Sequence, residues 1–197
     1  WSSLSNPYGT AYCASVKSIA ADQAGNVFVS GYCCNSSNDK IYGYWNKGAW
    51  TQVVNPNGTD DCAVESIAVD NAGNVYAGGY CYDSTRKKSV GYWKNGTWTA
   101  LANPYGSSFR FDMFMMTADS TGGVYAGGYC SNGYYNIAGY WMDGTWYALG
   151  NSYGSVFSAG VRSLAVNASG AVSAAGWCHN GYQEAGYWEK GSWHALI

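Results

Sequence analysis

The sequence predicts an all-β protein made of four tandem copies of a four-stranded unit, and three observations carry that prediction. Of 197 residues, 11% are charged, 17% are aromatic and 27 are glycine, a composition suited to pleated strands and tight turns rather than helices. The triplet Gly-Tyr-Trp recurs at Gly43, Gly91, Gly139 and Gly186, with successive copies 47 to 49 residues apart at every landmark of the repeat. After each triplet come a glycine-containing turn and a second tryptophan: Trp50, Trp98, Trp146 and Trp193. Self-similarity at this period is the mark of a repeat architecture.

The elements of one unit follow from its pattern. Strand A is of the Ser-Ile-Ala-Val type, with Ile67 and Val69 alternating. Asp70 then opens a turn whose amides its carboxylate can cap, with Gly73 and Asn74 suited to positive φ. Strand B reads Asn-Val-Tyr-Ala-Gly-Gly-Tyr-Cys, and a variable loop leads to strand C, which ends on Gly-Tyr-Trp. The Lys94-Asn95-Gly96 kind of turn is tight-hairpin chemistry and leads into a short strand D. Four such strands at a period of ~48 residues make one blade, so the prediction is a four-bladed β-propeller. A single domain is expected over 1–197, with repeats at about 6–54, 55–102, 103–150 and 151–197. Trp45, Trp93, Trp141 and Trp188 are expected to pack between blades. The small residues Ala68, Gly78 and Gly79 belong nearer the crowded axis.

The stretch "DNAGNVYAGGY" from Asp70 resembles the Asp-x-x-Gly-Asn-Val-Tyr-Val-x-Gly repeat of many bacterial propellers. "GYWKNGTWTAL" from Gly91 resembles the repeats of secreted bacterial proteins, and the resemblance covers all four copies. It implies a secreted propeller and transfers no catalytic residue. Tachylectin-like lectins have a similar repeat length and small size, an analogy of fold.

One strand is surplus. "WSSLSNPYG" at the start matches "WTALANPYG" from Trp98, so Trp1, Ser2, Ser3, Leu4 and Ser5 are expected to form an extra outer strand D beside the one that closes the chain. Three readings follow: a loose or added edge strand, a piece of a longer array, or donation of residues 1–5 to a neighbouring subunit. Donation uses the exposed edge of a sheet as a template and, head to tail, builds a fibre.

Seven cysteines and few lysines point to an oxidising, extracellular setting. Cys33, Cys81, Cys130 and Cys178 share one position at the end of strand B, while Cys13 and Cys62 precede strand A. Bridges Cys13–Cys33, with Cys34 as the alternative mate, and Cys62–Cys81 are expected. Close Cys-x-x-Cys spacing is absent, so no metal site or cofactor is expected.

The net charge of −2 gives no basic face for nucleic acid, and no apolar run reaches the ~20 residues that cross a bilayer. His179 and His194 are not repeated, and the recurring Asp22, Asp70 and Asp119 read as turn caps, so an enzyme is not expected. Binding is. The D–A links place Tyr8, Asn57, Tyr105 and Tyr153 at equivalent points, beside variable B–C loops carrying Asp83, Arg86, Tyr134 and Tyr182. Tyrosine offers an apolar face and a hydroxyl, which suits shallow repeated sites for glycans; a plain turn role for the links is the alternative. The leading expectation is a non-enzymatic, lectin-like extracellular protein. The alternative is a structural subunit that self-assembles into a filament or surface layer through residues 1–5.

Overall fold

A computed structural model describes residues 3–58 and 61–196. The first compact unit, Trp1–Ala100, holds β1 (Ala14–Ala21), β2 (Val27–Cys34), β3 (Lys40–Asn46), β4 (Ala49–Gln52), β5 (Cys62–Val69), β6 (Val75–Tyr82), β7 (Lys88–Lys94) and β8 (Thr97–Ala100). The second, Leu101–Ile197, holds β9 (Phe111–Ala118), β10 (Val124–Ser131), β11 (Asn136–Met142), β12 (Thr145–Ala148), β13 (Ala159–Val166), β14 (Val172–His179), β15 (Gln183–Glu189) and β16 (Ser192–Ala195). They form four antiparallel four-stranded sheets, β1–β4, β5–β8, β9–β12 and β13–β16. The expected A-B-C-D order is met in every copy.

Turn chemistry fixes each sheet. The C–D hairpins have two-residue loops with positive φ at both positions: Lys47-Gly48, Asn95-Gly96, Asp143-Gly144 and Lys190-Gly191. That is the type I′ geometry whose twist matches paired strands. In the A–B turn, Asp70 Oδ1 accepts the amides of Ala72 and Asn74, while Oδ2 accepts the Asn74 amide group and the Tyr76 hydroxyl. Asp119 does the same with Thr121, Gly123 and Tyr125. Its carboxyl is held down at about 2, chiefly by the Thr121 hydroxyl, against the opposing effect of burial. Asn167 builds the same turn with a neutral amide by accepting from Ser169 and Ala171. Capping is therefore what the position needs, and charge is optional.

The tryptophan pairs act as pegs. Trp45, Trp93, Trp141 and Trp188 are fully buried, each against the strand-D tryptophan of its own hairpin at 4.5 Å between ring centroids. Their indole N–H groups donate to link carbonyls 38 to 40 residues upstream, at Ser5, Val54, Ala102 and Gly150. The ring fills the core, and its polar edge ties the incoming link to strand C of the next sheet. Within the first unit, Phe28, Tyr44 and Val53 pack on Val64, Ile67, Val75 and Trp93. Within the second, Tyr125 and Ala138 pack on Val161, Leu164, Ala174 and Trp188.

The expected extra strand is not formed at Ser3, Leu4 and Ser5, which carry no strand pairing. Trp1 and Ser2 lie outside the described residues. Ser5 instead takes the link position, because its carbonyl accepts the Trp45 indole as Val54 accepts Trp93. No observation on the described residues favours strand donation.

Two disulfides are present, Cys62–Cys81 as expected and Cys13–Cys34 in place of Cys13–Cys33. The reason is register. Cys62 lies directly opposite Cys81, but the residue opposite Cys33 is Ala14. Cys13 is one position earlier, and a one-residue shift along a strand turns the side chain to the other face. Cys33, Cys130 and Cys178 are buried free thiols, with Phe111 and Ala159 opposite the last two. Burial pushes Cys33 up to about 11 and Cys178 to about 12, and raises Cys130 as well. The thiolate is the reactive form, so at pH 8 the native protein is expected to resist a disulfide-exchange reagent. The three free thiols should then titrate only after denaturation without reductant. Rapid labelling of native protein would contradict their burial.

Candidate functional site

Each link between strand D and the next strand A opens on an asparagine that acts as a clamp. Asn103 Nδ2 donates to the carbonyls of Phe109, Arg110 and Ser131 at 3.3, 3.3 and 2.9 Å, while its Oδ1 accepts the Tyr105 amide. Asn151 repeats this with Phe157, Ser158, His179 and Tyr153. Asn6 and Asn55 make the corresponding bonds in the first unit. One side chain thereby fastens the link, the start of strand A and the end of strand B together. The D–A link and the B–C loop are brought to the same end of the sheet.

That convergence leaves a cleft between the two sheets of each unit. In the first unit it is 140 Å³ and is lined by Tyr42, Gln52, Val53, Val54, Asn55 and Cys62, among others. In the second it is 330 Å³, at the same place in the repeat. The size difference has a plain cause. Ala138, Ala148, Gly150 and Ala159 stand in the second cleft where Tyr42, Gln52, Val54 and Cys62 stand in the first. The space they vacate is walled by Ile137, Leu149 and Phe157 and edged by Asn132, Asn136 and Ser155. Asn132 is fixed by accepting the amides of Tyr134 and Tyr135 at its Oδ1. The result is a recess with apolar walls and amide and hydroxyl groups at its edge. At 330 Å³ it falls at the lower end of small-molecule sites, ~300–1,000 Å³, and the first cleft falls below that range.

None of the eight residues singled out from sequence lines either cleft. Tyr8 touches a lining residue of the first cleft, since its hydroxyl donates to Gln52 Oε1 at 3.2 Å. Asn57 is exposed, and its amide donates to Asn55 Oδ1. Tyr105 and Tyr153 lie on the surface with their amides on the clamp asparagines, and the Tyr153 hydroxyl donates to the Glu184 carboxylate. Arg86 pairs with Asp61 at 2.8 Å, and Asp83 caps its own loop through the Thr85 and Lys87 amides. Tyr134 and Tyr182 project almost fully into solvent. The groups that sequence reasoning missed are Asn132, Asn136, Ser155 and Phe157. Their signal was present in the B–C loop and D–A link of the third and fourth repeats, but hidden beside more conspicuous tyrosines.

The titratable groups are engaged elsewhere. His179 Nδ1 accepts the Gly181 amide, and His194 stacks on Tyr187 at 4.9 Å. Asp112, buried on β9, accepts the Tyr129 hydroxyl and the Arg110 guanidinium. Among the described residues no group of three or more His, Cys, Asp or Glu side chains could hold a metal ion, and no helix is long and apolar enough to cross a membrane.

No family model matches this chain, and no curated protein matches it. Solved structures do. A fucose lectin from Kordia zhangzhouensis in complex with methyl-fucoside is similar at 12% identity and a TM-score of 0.36, over 91% of this chain and 96% of its own. The Aleuria aurantia lectin, a six-bladed β-propeller, is similar at 12% and 0.42, over 93% of this chain and 62% of its own. Hydrazine synthase from Kuenenia stuttgartiensis is similar at 13% and 0.43, over 92% of this chain and 49% of its own. The chain thus spans about half to two thirds of the latter two. Likenesses this distant, spanning a lectin and an enzyme, assign neither a ligand nor an activity.

Proposed function

We propose that this chain is an extracellular, non-enzymatic carbohydrate-binding protein, its four sheets the blades of a β-propeller, and that the cleft of the second unit is its principal site. The observation that carries the reading is the pairing of apolar walls with an amide and hydroxyl edge in one recess. A sugar ring has an apolar C–H face and a rim of hydroxyls, and it needs both kinds of contact at once. Phe157, Ile137 and Leu149 supply the first, while Asn132, Asn136 and Ser155 supply the second. Tyr105 and Tyr153 on the links and Tyr134 and Tyr182 on the loops of the second unit then offer outer contacts to the rest of a longer glycan, as Tyr8, Asn57, Asp83 and Arg86 do on the links and loops of the first unit. Two disulfides suit the extracellular setting.

Calorimetric titration with methyl glycosides of glucose, galactose, mannose, fucose and N-acetylglucosamine tests the proposal. Binding of at least one is expected in the millimolar range, about −4 kcal/mol. Asn136→Ala, which removes an edge amide, is expected to weaken it about tenfold, about 1.4 kcal/mol. Absence of binding across the panel, or binding that Asn136→Ala leaves unchanged, would contradict the assignment.

A further inference from the structure

Within the second unit, the sheet face that walls the cleft continues past it onto an aromatic pair. Ala138 of β11 lines the cleft, as does Leu149, whose amide donates to the Ala138 carbonyl just beyond β12. Two residues further along the same two chains, Tyr140 stands opposite Tyr147. Period-two alternation puts this pair on the same face as Ala138 and Leu149. A step of two residues along a strand is about 7 Å, close to the length of one pyranose unit in a chain.

The pair is built as a platform. The rings of Tyr140 and Tyr147 are stacked, with centroids 5.4 Å apart and planes inclined by 13°. Tyr140 packs on the core cluster of Tyr125, Val161 and Leu164, which anchors the inner ring. Tyr147, on the outer strand, stays 40% exposed. Its ring is therefore oriented by Tyr140 and open to solvent. In the first unit the equivalent position is a threonine, Thr51 opposite Tyr44 on β4 and Thr99 opposite Tyr92 on β8. The larger cleft and the exposed ring thus occur together, on the same sheet.

We propose that Tyr147 is the platform of a second sugar subsite, so that the ligand of this cleft is an oligosaccharide running from the recess along β12, its next ring stacked on Tyr147. This rests on the reading of the cleft as a sugar site. A pyranose lays its apolar C–H face on an aromatic ring, and a ring already held by a stacking partner loses little freedom when it does so. A cross-strand aromatic pair also stabilises a hairpin, but a purely structural role would not distinguish a disaccharide from a single sugar.

Calorimetric titration of the wild type, Tyr147→Thr and Tyr147→Phe tests this by comparing methyl glycosides with disaccharides of the same sugars: maltose, cellobiose, galactobiose, mannobiose and N,N′-diacetylchitobiose. Circular dichroism checks that both variants fold. The wild type is expected to bind one disaccharide about tenfold more tightly than the matching methyl glycoside. Tyr147→Thr, which installs the residue of the first unit, should lose that gain while binding the methyl glycoside as before, and Tyr147→Phe should keep it. A disaccharide gain that survives in Tyr147→Thr overturns the subsite and leaves the recess as a sugar site. So does an equal loss of affinity for both ligands in Tyr147→Thr, or a wild type with no disaccharide gain across the panel. Failure of every ligand to bind the wild type overturns the reading of the cleft, and the subsite with it.

Discussion

Replacing Trp93 by Ala is expected to lower the stability of the first unit by about 3–5 kcal/mol, the cost of truncating a fully buried aromatic. Trp93 is 1% exposed and packs on Trp98 across its own hairpin. Its loss also strips the Val54 carbonyl of the indole donor at 2.8 Å. The two contributions separate with Trp93→Phe, which keeps most of the packing and removes the hydrogen bond, at a cost of about 1–3 kcal/mol. Urea unfolding of the three proteins measures both. A Trp93→Ala cost below that of Trp93→Phe would contradict the description of the ring as a peg joining link and sheet.

The second large effect is at a glycine that does not have positive φ. A Cβ on Gly79 would fall on the Ala63 carbonyl, with Ala63 C at 2.9 Å. Both obstacles are backbone atoms of the neighbouring strand beside a β-bulge, so neither can swing away. Gly79→Ala is expected to cost at least about 3 kcal/mol, at or beyond the upper end of ordinary overpacking. Gly73, in the A–B turn at φ +79°, has open space around its Cβ position. Gly73→Ala pays only the left-handed conformation, about 1–2 kcal/mol. Equal destabilisation of the two variants in thermal or urea unfolding would show that the bulge can open and that close approach is not what fixes Gly79.

These two glycines show how far sequence reading reaches. The turn glycines were legible because local chemistry dictates them: Asn95-Gly96 and its counterparts form the hairpins their residue types require. Gly79 was legible only as a repeated small residue near a crowded place, because the atom it avoids belongs to another strand. Cys13 marks the same boundary. Its bridge to Cys34 was readable in principle, since Cys13 is one place out of phase with Cys62 in the repeat. That phase decides which face of the strand the sulfur occupies.

The candidate site was least legible. The D–A links and B–C loops do converge, as their repeat positions implied. Yet the conspicuous Tyr134 and Tyr182 stand out in solvent, while the less conspicuous Asn132, Asn136 and Phe157 line the recess. A concavity is created by what is small next to it. Here that is Ala138, Ala148 and Gly150 in place of bulkier residues in the first unit, a contrast visible only once the repeats are superposed in space.

The central claim is that a sugar occupies this cleft, and heteronuclear NMR of the full chain titrated with the same methyl glycosides tests it most directly. The side-chain amide signals of Asn132 and Asn136 and the ring signals of Phe157 are expected to shift together and saturate in the millimolar range, about −4 kcal/mol. Shifts confined to the exposed loop tips around Tyr134 and Tyr182, or no shifts with any glycoside, would contradict the assignment of this cleft.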